Sequence, residues 1–205
     1  MKRRKWMGVM LAAAIGFVVT GTARAQDASA ADKEKALALL ESSKKEVLAA
    51  TKGLSEAQWT FKAGPDRWSI AECMEHIAAA EDFIRGTIEQ NVLKAPAAPD
   101  RDIAKIDAGI LAMVPDRSNK VQAPDPLKPT NRFGSPEASI KHFVESRATT
   151  EDFLKRTADL RGHAVDSPLG GKWDAYEFVL LIGAHSERHT KQIEEVKASP
   201  GYPAK

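Results

Sequence analysis

Apolar residues recur every three to four positions through four long stretches of this chain, and no stretch of useful length alternates apolar with polar. Side chains three and four apart share one face of a helix, whereas a half-buried strand needs strict alternation. The pattern therefore predicts an all-α fold. The first stretch, from about Asp32 to Lys52, sets Leu37, Leu40, Val47 and Ala50 on one stripe and stops at Gly53. The second opens at Ser69, where Glu72 completes a capping box, and turns Ile70, Cys73, Ile77, Ala80, Ile84 and Ile88 inward before ending ahead of Pro96. The third starts where Ser135 can cap and Pro136 can take the first helical position, and carries Ile140, Phe143, Arg147 and Phe153 towards Leu160. The fourth, roughly residues 175 to 198, follows the Gly170-Gly171 turn, has Asp174 and Glu177 as its capping pair, and is closed by Pro200 and Gly201.

Four long amphipathic helices joined through one long crossover point to a four-helix bundle. The crossover, residues 95 to 134, holds prolines at 96, 99, 115, 124, 126 and 129. A short extra helix from about Arg101 to Val114, with Ile103, Ile106, Ile110 and Met113, is expected to pack over one end of the bundle. Connections of this length are usually functional or mobile, and composition alone leaves its role open. The segment around Trp59, Gly64, Pro65 and Trp68 reads as a loop.

The first 25 residues form a separate unit. Lys2, Arg3, Arg4 and Lys5 precede an apolar run of 13 residues from Met7 to Val19, and Ala23-Arg24-Ala25 supplies a small-x-small cleavage pattern. That is the layout of a secretory signal peptide, and the run is too short for a membrane span of about 20 residues. Arg3-Arg4 followed by Trp6 and Met7 partly matches a twin-arginine signal, which leaves the export route open. The expectation is an exported protein, periplasmic in a Gram-negative cell, with residues 26–205 as a single domain and no stable membrane span after cleavage. The chain has 30 basic and 28 acidic residues, and the signal removes more basic than acidic ones. The mature protein thus has no cationic excess for nucleic acid or anionic lipid. A lone cysteine, Cys73, rules out an internal disulfide, so the core must stabilise the fold unaided.

The chemistry lies on the last helix. At about 100° per residue, His185 sits at the centre of the apolar stripe of Phe178, Leu181, Ile182, Ile193 and Val196, and His189 lies about 40° away, one turn on. Two inward imidazoles at this spacing can bind one metal ion, or be core histidines with ordinary hydrogen bonds. Burial without partners costs free energy, and a shared cation would satisfy both. A third ligand would decide between these readings. His142 and His163 lie among polar neighbours. His76, two turns into the second helix beside Cys73, Ala80 and Phe83, is better placed, at the edge of its stripe. Cys73 reads as a small apolar core residue, Glu72 as a cap, and Glu75 as pointing about 100° away from His76. Gln192, one turn beyond His189, is a candidate to orient that imidazole. Glu187 and Arg188 read as an outer rim, and Trp68 and Trp173 as end-packing residues.

The string Trp68-Ser69-Ile70-Ala71-Glu72-Cys73-Met74-Glu75-His76-Ile77 resembles the second-helix motif of the DinB (DinB/YfiT-like) family. His185-Ser186-Glu187-Arg188-His189-Thr190-Lys191-Gln192-Ile193 resembles that family's last-helix motif. The similarity spans about residues 33 to 197. It implies an up-down-down-up four-helix bundle with a divalent metal ion, most often zinc or nickel, held by His76, His185 and His189. Three neutral ligands and an open position are the layout of a catalytic metal site. The resemblance is compatible with a metal-dependent hydrolase or a thiol-dependent transferase acting on a small-molecule substrate. A bundle that binds metal without turnover is nearly as well supported, and a structural bundle with core histidines ranks well behind both. A homodimer is compatible with such a bundle, and no catalytic residue can be named.

Overall fold

A computed structural model describes residues 27–204, so the expected signal peptide lies outside the described residues. Each long helix begins where the capping chemistry places it. Helix α1 (Ala30–Thr51) starts at a Ser29/Asp32 capping box and ends at Lys52, followed by Gly53 with φ +67°. Helix α2 (Glu56–Thr60) is a single short turn opened by a Ser55/Gln58 box. The segment expected to be a loop is therefore partly helical; its box carries Gln where the more familiar pattern has Glu. Helix α3 (Ile70–Gln90) starts at the expected Ser69/Glu72 box. Helix α4 (Ile103–Met113) is the short crossover helix, α5 (Pro136–Arg156) has Ser135 as its cap, and α6 (Ala175–Lys197) opens on the Asp174/Glu177 box.

Two further details, after α5, depart from the sequence reading. Helix α5 stops at Arg156, and Leu160 is buried from the loop beyond it. The following segment forms a small antiparallel hairpin, β1 (Ala164–Asp166) with β2 (Lys172–Asp174), around Gly170 and Gly171 at φ +96° and +73°. Three-residue strands are too short to show an alternating pattern, so the periodicity carries no sign of them.

Two apolar clusters reveal the topology. One gathers the C-terminal halves of α1 and α6 (Val47, Ala50, Ile193, Val196) with the N-terminal halves of α3 and α5 (Ile70, Cys73, Met74, Phe143). The other gathers the opposite ends: Ala36 and Leu40 of α1, Ile84 and Ile88 of α3, Leu154 of α5, and much of α6 from Ala175 to Ala184. The long helices therefore run up, down, down, up. Helices α3 and α5 are parallel neighbours, and returning from the end of one to the start of the other means travelling about 30 Å along the bundle. That distance is why the crossover is long.

Helix α4 lies against α6, not across the bundle end as expected. Ile110 is buried, while Ile103 and Met113 remain exposed. Its surroundings are held by ion pairs: Arg101 reaches Asp174 (2.5 Å) and Glu177 (2.7 Å), and Arg161 reaches Asp107 of α4 (2.7 Å). Between the two apolar clusters lies the wholly buried Arg147 of α5. It forms a two-point pair with Glu81 of α3 (2.8 Å each) and donates to Ser43 Oγ of α1 (3.0 Å), Ser186 Oγ of α6 (2.9 Å) and the Leu40 carbonyl of α1. All five guanidinium N–H bonds find acceptors, and one side chain ties all four long helices in register.

Candidate metal centre

The antiparallel contact of α3 with α6 brings His76 opposite His185 and His189. One ring nitrogen from each lies within 4.8 Å of the others, and among the described residues no carboxylate or thiol joins them at that spacing. The ring centroids are 4.4 to 4.9 Å apart. His76 and His189 are buried, while His185 keeps part of its surface open to solvent. The other two histidines, His142 and His163, are elsewhere, on Asp82 (2.5 Å) and on the Ala95 carbonyl and Asp159 (2.5 and 3.1 Å).

Hydrogen bonds set the tautomers. His76 Nδ1 lies 2.8 Å from the Leu127 carbonyl, which can only accept, so Nδ1 carries the proton and Nε2 keeps its lone pair. His189 Nδ1 lies 2.8 Å from Gln192 Oε1, which also takes a hydrogen bond from Arg117 Nη1 at 3.2 Å. A guanidinium has no acceptor, so the shared Gln192 atom is the oxygen, and His189 Nε2 is likewise free of a proton. Gln192 thus does what the sequence reading asked of it. The Nε2 atoms of His76 and His185 are 3.1 Å apart. Three nitrogens around an ion at about 2.1 Å would stand about 3.4 Å from one another in a tetrahedral site.

The electrostatics favour the ligand form. Burial pushes His185 and His189 well below the ordinary histidine range, and the neighbouring imidazoles of the cluster add to the effect. Burial also lowers His76, against the opposing pull of the Leu127 carbonyl. Neutral imidazoles are what a metal ion requires. The Cys73 thiol, wholly buried in the apolar cluster, is pushed up to about 12 by burial and stays protonated, the inert role expected of it.

Several residues of the centre carry no clear sequence signal. Trp68 is more than an end-packing residue: its ring lies 4.9 Å from that of His76 and 6.2 Å from that of His189, nearly parallel to the latter at 24°. Trp173 does pack at its helix end, against Phe178. Glu75 points away from His76 as expected, but it is buried and anchors the end of the crossover. It accepts backbone N–H bonds from Thr130 (2.7 Å), Asn131 (2.7 Å) and Arg132 (3.2 Å), and burial, which would raise its pKa, is outweighed by these donors. Arg188 holds the other part of the crossover through the carbonyls of Val114 (3.2 Å), Asn119 (2.6 Å) and Asp116. A cleft of about 390 Å³ lies on the Glu72–Glu75 face of α3, lined in part by Thr130 and Ser139, and does not include the three histidines.

A family model described as the DinB superfamily matches residues 21–193. The chain belongs to the DinB superfamily. A curated relative, the uncharacterized protein YuaE of Bacillus subtilis (strain 168), is 26% identical over 148 residues, 71% of this chain and 87% of that protein. Among solved structures, YfiT from Bacillus subtilis superposes with a TM-score of 0.54 at 14% identity, covering 86% of this chain and 91% of that one. YfiT is described as a probable metal-dependent hydrolase with an unusual four-helix bundle topology. At that identity the likeness establishes the fold alone, and the DinB bundle expected from the two motifs is the one observed.

Proposed function

We propose that this DinB protein is a metal-dependent hydrolase whose divalent ion, zinc or nickel, is held by His76, His185 and His189. The observation that carries this reading is the pair of tautomer locks. Leu127 and Gln192 leave the Nε2 lone pairs of His76 and His189 aimed into one small space, with a third imidazole beside them. Nitrogen donors of this kind suit zinc and nickel. An ion with three neutral ligands keeps its full charge, and when bound it supplies Lewis acidity that polarises a substrate carbonyl or phosphoryl oxygen and acidifies water. The chain's own residues do the rest. His185 keeps part of its surface open to solvent and so marks the side from which a substrate would reach the ion. Trp68 covers the His76 and His189 rings and keeps that side dry. The description of YfiT supports hydrolysis. The export signal expected from the N-terminal sequence points the same way, because small thiol cosubstrates are chiefly a cytoplasmic currency.

The test is metal analysis of protein purified without a histidine tag, beside His76→Ala and His185→Ala, followed by ester, amide and phosphoester substrate panels. Near one ion per chain, lost in both variants, with metal-dependent turnover of at least one hydrolysable class, is the expected result. Equal metal content in all three proteins would end the reading. An ion that binds at these residues without turnover on any panel would leave a metal-binding protein that is not a hydrolase.

A further inference from the structure

The crossover places Arg117 beside the metal centre without touching it. Its guanidinium grips Glu195 of α6 at two points, Nε–Oε1 at 2.6 Å and Nη2–Oε2 at 2.8 Å, and Glu195 is steadied from the other side by Arg67 at 3.3 Å. This seat leaves Nη1 for Gln192 Oε1, the atom on which His189 Nδ1 also converges. The loop carrying Arg117 is itself pinned to α6 by Arg188 and by Lys191, which donates to the Pro115 carbonyl at 3.2 Å. Two consecutive turns of α6 and the strap across them thus make a chain of contacts, Glu195 to Arg117 to Gln192 to His189.

We propose that Arg117 is a positioning residue of the metal centre, acting through Gln192 to fix which nitrogen of His189 faces the ion. The argument is one of donor count. A primary amide presents an oxygen on one side and an N–H2 on the other, and the two are close to the same size. With Arg117 in place, the oxygen must face the guanidinium, so the same oxygen accepts from His189 Nδ1 and Nε2 is bare. Without Arg117 the amide can turn over and donate to Nδ1. The proton then moves to Nε2, and the nitrogen needed by the ion is blocked. Outer partners that orient a ligating histidine are commonly worth about 10- to 100-fold in metal affinity.

The proposal rests on the three-histidine reading, and its test separates the two. In the metal-free protein, the nitrogen chemical shifts of the His189 ring report the tautomer directly. They should show the proton on Nδ1 in wild type and a mixture in Arg117→Ala. Zinc affinity, measured by competition with a chromophoric chelator, should fall about tenfold or more in Arg117→Ala. The double variant Arg117→Ala/Gln192→Glu should regain wild-type affinity, because a carboxylate has no donor to present and needs no guanidinium to orient it. A merely structural role for Arg117 predicts loss in both the single and the double variant, and that result would overturn the proposal. So would unchanged tautomer and affinity in Arg117→Ala. A wild-type protein with an Nδ1-protonated His189 and no affinity for zinc, cobalt or nickel would instead sink the metal reading, and the positioning role with it.

Discussion

His76 Nε2 and His185 Nε2 face each other across 3.1 Å in the middle of the bundle. His76 Nδ1–H donates to the Leu127 carbonyl, so the His76 nitrogen in this pair has only a lone pair to offer. Without an ion, His185 must donate its Nε2 proton across the gap. An ion held here would need the lone pairs of both nitrogens, with the His185 proton on Nδ1. Either arrangement would satisfy the pair, and the second would also use His189.

A protein ready to bind in this way should be stabilised by its ion. At a free concentration of one hundred times the dissociation constant, binding to the native state adds about 2.7 kcal/mol, which for a chain of this size is a rise of about 5–10 °C in melting temperature. The rise should appear with zinc or nickel and not with magnesium, which prefers oxygen ligands. Thermal melts of wild type and His185→Ala check it, the variant showing no metal-dependent rise.

Acidity should work against the metal-free centre. The folded protein holds its three histidines below their ordinary range of about 6.5, whereas the unfolded chain binds protons at that range. Below pH 6.5 the unfolded state therefore binds more protons, and stability falls as pH drops, by up to about 1.4 kcal/mol per pH unit for each histidine. Glu177 acts in the opposite sense, since burial holds it at about 7 in the folded protein and its protonation stabilises the fold below that value. Comparing wild type with a His185→Gln/His189→Gln variant cancels Glu177. Urea unfolding between pH 7 and 5.5 should show the steeper loss in wild type.

Arg147 should be among the most sensitive positions in the core. Arg147→Ala strands the buried Glu81 carboxylate and leaves a void, and removing one member of a buried pair typically costs about 3–5 kcal/mol. Arg147→Met/Glu81→Leu removes both charges at similar volume and should recover most of that loss. Denaturant midpoints of the three proteins decide the point. Equal destabilisation of the single and double variants would show that the contacts to Leu40, Ser43 and Ser186 matter more than the ion pair.

Glu75 should control the seating of the crossover. Glu75→Ala leaves the Thr130, Asn131 and Arg132 N–H groups without their acceptor, at about 1–3 kcal/mol. Because the same segment carries the Leu127 carbonyl, loosening it should also weaken metal binding. Faster tryptic cleavage at Lys120 and Arg132, together with a lower zinc affinity, is the expected pair of results.

Much of this was legible in the chain itself. The 3.6-residue periodicity and the caps at Ser69, Ser135 and Asp174 placed the long helices within a few residues of where they lie, because both signals are local. The same local geometry put His185 and His189 on one face, and the motif around Trp68 to His76 named the third histidine. Helix α2 and the hairpin were missed because they are too short to express a period.

The amino-acid sequence by itself determined which residues could share a helix face and where each helix could begin. Only the tertiary structure decided that α3 and α5 run parallel, so that the crossover must return along the bundle past the histidines. It alone decided the tautomers, since one lock is a backbone carbonyl, a group every residue has, and the other depends on an arginine about 75 positions from its target. Helical periodicity is written between neighbours in the chain, but the tautomer of a buried imidazole is written between neighbours in space.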